Sequence, residues 1–241
     1  MTTQTTASRF SNAALYAALA ALALVILPML LFRLGQGFQF QLIVAGFFVT
    51  MAALALAVVA VILAFVRKRR KGTPLLALGV TGGIALVMLS LMNQGQGVPP
   101  IHDITTDTDN PPAFVEAVAV REGSPNPVGY DPDIAAQQRE AYPDLDTLAL
   151  DANPAEAFAA ALAAIEARGW SVIDANESEG RIEATESSRW FGFKDDVVVR
   201  IQPDGGGGSL VDVRSKSRMG QSDLGANAAR IRALLTDISP G

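Results

Sequence analysis

The sequence has no cysteine and a single histidine, His102. It therefore offers no disulfide, no thiolate nucleophile and no cysteine-ligated metal. Residues 1–92 also lack any Asp or Glu, while holding seven bases: Arg9, Arg33, Arg67, Lys68, Arg69, Arg70 and Lys71. All 24 acids lie beyond that stretch, with the other 12 of the 19 bases. The two parts carry +7 and −12, which give the formal −5. A break in charge of this size marks a boundary near residue 93. The acidic excess of the second part argues against nucleic acid as a partner, because phosphate binding needs clustered Lys and Arg.

A bilayer selects for stretches without carboxylates, since an ionised side chain in hydrocarbon costs about 2.5–3.5 kcal/mol even on insertion scales. Three apolar runs, at 13–32, 42–66 and 74–92, are each near or above the ~20 residues that cross a bilayer. They predict a three-helix transmembrane region over 1–92, with the lipid bilayer as its surroundings. Pro28, near the end of the first run, is a tolerated kink in lipid. Gly79 and Gly83 have the spacing that lets membrane helices approach closely, although small residues are common in such helices generally. A cleaved signal peptide fits residues 1–32 poorly: the start is weakly charged, the run is long, and no Ala-x-Ala site follows.

Orientation follows from the five consecutive bases Arg67–Lys71. Positive charge in a short loop stays cytoplasmic. The expected topology has the N-terminus inside, residues 33–41 outside, and everything after 93 outside. In a Gram-negative cell this is an inner-membrane, multi-pass protein with a periplasmic C-terminal domain.

Residues 93–112 read as a Gly/Pro/Gln linker and a short strand, and 113–241 as a soluble α+β domain. Six prolines between 111 and 143 keep that stretch irregular, with room for a short helix near 112–119 or 133–140; such a stretch wraps a core or carries a site. A short strand is expected at 147–150. Asn153-Pro154-Ala155-Glu156 is a capping box with Pro at the first helical position, and Gly169 closes the helix that follows. Strands are expected at 170–175, 181–187, 195–202 and 209–218, and a last helix at 222–238. Alternation along the strands predicts an antiparallel sheet with two helices packed on one face and the other face wet.

Three separated segments carry a resemblance. They are Ile101–Asp107 with Pro111–Phe114, Ser188–Val197, and Asp212–Arg218 running on through Gly220–Asn227. Together they resemble the family known as domain of unknown function 1499, over most of residues 99–238. The resemblance implies a bacterial or plastid-type envelope protein. That family has no established activity, so no catalytic residue carries over.

Two sets of side chains stand out for function. Arg214, Lys216 and Arg218 share one strand face at period two, just before a helix start near Ser222, with Arg189 and Lys194 as further bases. A helix N-terminus with arginines suits a phosphate or carboxylate, or an acidic partner. The alternative is a cross-strand ion-pair face with Asp196, Asp212, Glu183 and Arg200, which an acidic domain favours. The second set is His102, Asp103 and Asp107, with Asp109 nearby. It could serve acid–base or metal chemistry, or simply cap turns. No metal spacing is met: an EF-hand beginning at Asp107 fails, with Pro112 where Gly is required and Val118 where Glu is required. The aromatic stretch Arg189-Trp190-Phe191-Gly192-Phe193 is expected to fill the core, with an exposed patch for lipid, peptidoglycan or a partner protein as the alternative.

The expected function is a membrane-tethered, non-catalytic envelope module that binds an envelope protein or anionic small ligand, with no cofactor. A hydrolase or metal-dependent enzyme using 102–109 is the alternative. A transport or assembly subunit is a further alternative, ranked below the binding module for want of ionisable residues within the apolar runs.

Overall fold

A computed structural model describes residues 2–37 and 39–239, with side chains from residue 9 onward. The chain divides into two compact units, a helical one that runs to Gln94 and also takes in Trp190–Gly192, and one that carries the remainder.

The helical unit comprises α1 (Thr2–Arg33), α2 (Phe40–Val66) and α3 (Gly72–Gln94). Each contains a span long and apolar enough to cross a membrane. All three helices outrun the expected spans, α1 and α3 at both ends and α2 at its start alone. Pro28 lies inside α1 without ending it. Small residues form the seams: Ala14 and Ala18 on α1, Ala57 and Ala60 on α2, and Ala77 on α3 are buried together. Between apolar helices there is little hydrophobic drive, so close backbone approach is what holds them. Gly46 shows how close, since a Cβ there would press on the Leu24 carbonyl of α1. Thr50 and Thr81, also buried, donate their hydroxyls to the carbonyls of Gly46 and Ala77, so neither hydroxyl is left unpaired. The Gly79–Gly83 spacing is not part of these seams; a Cβ at either glycine would meet nothing within 4 Å.

The second unit is built on six antiparallel strands. They are β1 (Asp103–Thr105), β2 (Leu148–Leu150), β3 (Ser171–Asn176), β4 (Arg181–Ser187), β5 (Lys194–Pro203) and β6 (Ser209–Ser217). The order is β1-β6-β5-β4-β3, with β2 sharing the outer edge of β6 with β1. Helices α4 (Ala117–Val120) and α5 (Pro132–Ala141) fall in the irregular stretch; α6 (Pro154–Ala167) and α7 (Ala226–Ile238) flank the strands. The capping box forms as the sequence predicts: the Asn153 side chain accepts from Ala155 and Glu156, while Glu156 accepts from the Asn153 N–H.

One sheet face carries Ile182, Ala184, Val197, Val199, Ile201, Val211 and Val213, buried with Phe158, Ala161 and Ile165 of α6 and Ala228, Ile231 and Leu234 of α7. At about 25 cal/mol per Å² of apolar area removed from water, this core is the main drive for the unit's folding. Gly180 closes the β3–β4 connection at φ 62°, where a Cβ would collide with the Ile201 carbonyl. The expectation of a wet second face is corrected. That face bears Glu183, Thr185, Asp196, Arg214 and Lys216, and all are buried. Residues from 106 to 130 lie over it and supply its partners. Val198, an apolar position on the same face, packs with Phe114 and Ala117 of that stretch.

Candidate functional site

The covered polar face is where the strand register brings most of the candidate residues. Asp103 pairs with Lys216 across β1–β6, and Asp196 with Lys216 across β5–β6; Arg200 stands opposite Asp212. Direct opposition of this kind places charged tips within bonding reach.

Asp103 is the hub of the first cluster. It accepts a two-pronged contact from Arg214, at 2.9 Å from Nε and 2.8 Å from Nη2, and a third bond at 2.8 Å from Lys216 Nζ. Arg214 is 3% exposed and Lys216 2%. The Arg214 guanidinium also donates to the carbonyls of Pro112 and Val128, and Lys216 to that of Gly129. The rings of Phe114 and Tyr130 lie 5.0 and 5.3 Å from the Arg214 guanidinium carbon, a cation–π arrangement out of water. Burial pushes the Lys216 ammonium below its ordinary range, a shift that Asp103 only partly offsets. Burial also pushes the Tyr130 phenol up to about 12, assisted by the Asp103 charge.

Asp196 is the second hub. Arg218 grips it with Nε at 2.9 Å and Nη2 at 2.8 Å, Arg121 donates at 2.7 Å, and the Thr185 hydroxyl at 2.6 Å. Burial alone would raise this carboxyl, but the bonds from Arg218 and Thr185, the Arg218 charge and Arg121 together hold it below the usual carboxylate range. A third cluster joins Arg200 to Asp107 and Asp212, and the hydroxyls of Thr106 and Thr147 complete Asp212. Glu183 accepts from the backbone N–H groups of Val115, Glu116 and Ala117 and from Arg181, so it caps the start of α4 from a distant strand.

The structure therefore brings Arg214, Lys216 and Arg218 together as the sequence predicts, with their charges engaged by the chain's own carboxylates. An external anion would have to displace Asp103 or Asp196 to reach them. The helix start lies later than expected, at Ala226. Before it, Asp223 accepts from the N–H groups of Gly225 and Asn227, so the N-terminus already has its anion. Burial raises the Asp223 carboxyl above its ordinary value, more than those bonds lower it. The Ser222 hydroxyl accepts from the Leu224 N–H. Arg189 is outside the row, exposed in the β4–β5 connection.

His102, Asp103 and Asp107 are not brought together. Adjacent strand residues point to opposite faces, so Asp103 enters the buried cluster while the His102 ring lies 3.4 Å from the Gln221 carbonyl. Asp107 shapes a turn, accepting from the N–H groups of Asp109 and Asn110, and faces Arg200. Among the described residues no three His, Asp or Glu side chains form a metal-holding group. The expectation that the aromatic stretch fills the core is corrected at Trp190, which is 70% exposed.

Three residues escaped sequence reasoning. Arg121, from the irregular stretch, reaches Asp196 and the carbonyls of Lys216 and Ser217. Gln138 lends its side-chain amide to β1 as a strand would, accepting from the Thr105 N–H and donating to the Thr105 carbonyl. The signal was there in part: Gln138 falls four residues after Ile134, on the buried side of α5. Asn227 bridges Ser215, Ser217 and the His102 carbonyl from α7. The described residues of this unit line grooves, two of which lie near the candidate residues or the core edge. One of about 520 Å³ is lined by Asp107, Arg139, Tyr142 and Thr147 among others, and one of about 390 Å³ by Leu150, Glu156 and Ile238 among others. Neither is lined by Arg214, Lys216 or Arg218.

Helices of membrane-spanning length followed by an α+β sheet unit define the class of protein. The family model described as "Protein of unknown function (DUF1499)" matches residues 103–238, more than half of the chain. The chain belongs to that family, and the match runs from the first residue of β1 to the last of α7. Comparison with curated proteins returns no match.

Proposed function

We propose that the protein is a membrane-tethered interaction module of the cell envelope, with its sheet unit on the extracytoplasmic side and no catalytic centre. The observation that carries this reading is the commitment of the ionisable side chains. Asp103, Asp107, Asp196, Arg214, Lys216 and Arg218 hold one another and the 106–130 segment, so their chemistry is spent on shape. Such a layer favours recognition by a fixed surface. The partner class that fits is another envelope protein, in preference to an anionic small ligand. Sidedness rests on Arg67–Lys71 between α2 and α3, with no carboxylate before Asp103.

Paired fusions at the C-terminus test the location: alkaline phosphatase is expected to be active there and green fluorescent protein dark, and the reverse pattern overturns the extracytoplasmic placement. Combined His102→Ala and Asp107→Asn substitutions test the absence of catalysis. The variant is expected to restore a deletion strain's envelope phenotype as wild type does, and a folded variant that fails to do so overturns the non-catalytic reading.

A further inference from the structure

The connection between β4 and β5 is short and closed. Ser187 pairs with Lys194, the Ser188 N–H donates to the Phe193 carbonyl, and the Phe193 N–H donates to the Ser188 hydroxyl. Gly192, at φ 78°, makes the reversal possible. At this tip Trp190 projects with 70% of its surface exposed, whereas the other tryptophan, Trp170, is 8% exposed and part of the core. Lys194, where β5 begins, is an exposed base beside it. A folded sheet has no internal reason to hold an indole in water, since burying such a side chain is worth ~1.5–3 kcal/mol.

The register shows which end of the sheet this is. β1 and β5 are both antiparallel to β6, so they run in the same direction and begin at the same end. The Ser217 N–H donates to the His102 carbonyl, Ser217 is also the register partner of Asp195, and the Arg218 N–H donates to the Lys194 carbonyl. The start of β1 is thus two strand spacings, about 10 Å, from the start of β5. Only residues 95–102 separate the start of β1 from the end of α3. Fully extended, that linker reaches at most about 29 Å. The tip that exposes Trp190 is at the tethered end of the sheet.

We propose that the β4–β5 tip is an interfacial anchor, in which Trp190 seats in the headgroup region of the bilayer that holds the chain's own helices, with the exposed Lys194 directed to lipid phosphates. Tryptophan concentrates at this depth because its ring is apolar and its N–H needs a polar partner. A base beside it gains from an anionic lipid surface. The inference rests on the membrane-tethered reading but not on which side the sheet unit occupies. Anchoring at both α3 and the tip restricts the sheet unit to one presentation toward a partner.

The test uses the full chain reconstituted in phosphatidylcholine vesicles containing phosphatidylglycerol, with bromines at shallow or deep acyl positions. Subtracting the emission of Trp190→Phe from that of wild type isolates Trp190 and leaves Trp170 in place. The expected result is blue-shifted Trp190 emission, quenched more by shallow than by deep bromines and protected from aqueous acrylamide. Emission that acrylamide quenches freely and bromines do not would place the tip in water and overturn the anchor. Shielding from both quenchers would mean packing against protein and overturn it equally. Alkaline-carbonate extraction of the same vesicles separates the two readings: a chain that washes off refutes the tether itself, whereas one that stays with Trp190 in water refutes only the anchor.

Discussion

On one face of the sheet Val197, Val199, Val211 and Val213 meet α6 and α7; on the other, the intervening residues Asp196, Asp212, Arg214 and Lys216 meet the 106–130 segment and one another. Both faces are buried. The apolar face draws on a non-directional force that tolerates exchange among side chains of similar volume. On the ionic face each charge is out of water and depends on a particular partner at a particular distance. The same strands thus combine a tolerant core with an intolerant one. The intolerant face holds down a segment that has little regular structure of its own.

Substitution at a hub should expose this difference most. Asp103→Asn leaves Arg214 and Lys216 buried without their shared counter-charge, and breaking a buried pair in this way costs about 3–5 kcal/mol. Ile165→Ala on the apolar face removes packing alone and should cost about 2–5 kcal/mol, depending on how far the site relaxes. Urea unfolding of the full-length protein in a Trp190→Phe background, followed by the fluorescence of core Trp170, gives both values. If Asp103→Asn proves much the milder of the two, the ionic face is not what holds the segment.

Acid should weaken the ionic face. The folded Asp196 carboxyl lies below its ordinary value of 3.8, so its contribution is complete above that pH and is lost as pH falls through the depressed folded value. Asp107 is lowered too, its burial outweighed by bonds from Asn110 and Arg200, and it adds to the same slope. Asp223 is raised and acts in the opposite sense above 3.8. Stability measured against pH should therefore fall below 3.8, and less steeply in Asp196→Asn than in wild type. Equal slopes would contradict the pairing.

The smallest effect is expected at Lys216→Met. The bidentate Arg214–Asp103 contact survives, and an unbranched apolar chain fills the space of a lysine whose burial already disfavours its charge. Replacing a buried charge by a well-packed apolar group is often neutral or stabilising. A loss under about 1 kcal/mol in the same urea experiment is expected. A loss matching Asp103→Asn would show that the ammonium is indispensable.

Legibility in the sequence followed the range of the forces involved. The Asn153 cap, the Gly169 stop and the strand Arg181–Ser187 depend on neighbours in sequence, and each forms where local pattern places it. Period-two spacing also put Arg214, Lys216 and Arg218 on one face correctly. Spacing says nothing about what covers that face. The cover includes Arg121, together with the carbonyls of Pro112, Val128 and Gly129, brought in across 75 to 102 residues of chain. No periodicity records such contacts. The apparent helix start at Ser222 failed for a related reason: Asp223 caps the turn, with Leu224 at φ 55° and Gly225 at φ 82°, and holds back the first helical residue to Ala226.

By itself the sequence determined what depends on composition and short period. That comprises three apolar helices free of carboxylates, a basic loop between the second and third, the order and kind of the later elements, and the family. Hydrophobic length and strand alternation are local quantities, written wherever the chain forms an element. Only the tertiary structure decided that the charged face is a second core and that Trp190 stands exposed at the end of the sheet where β1 and β5 begin. Both follow from strand order and from the path of the 106–130 segment, which are set by contacts between residues far apart in the chain.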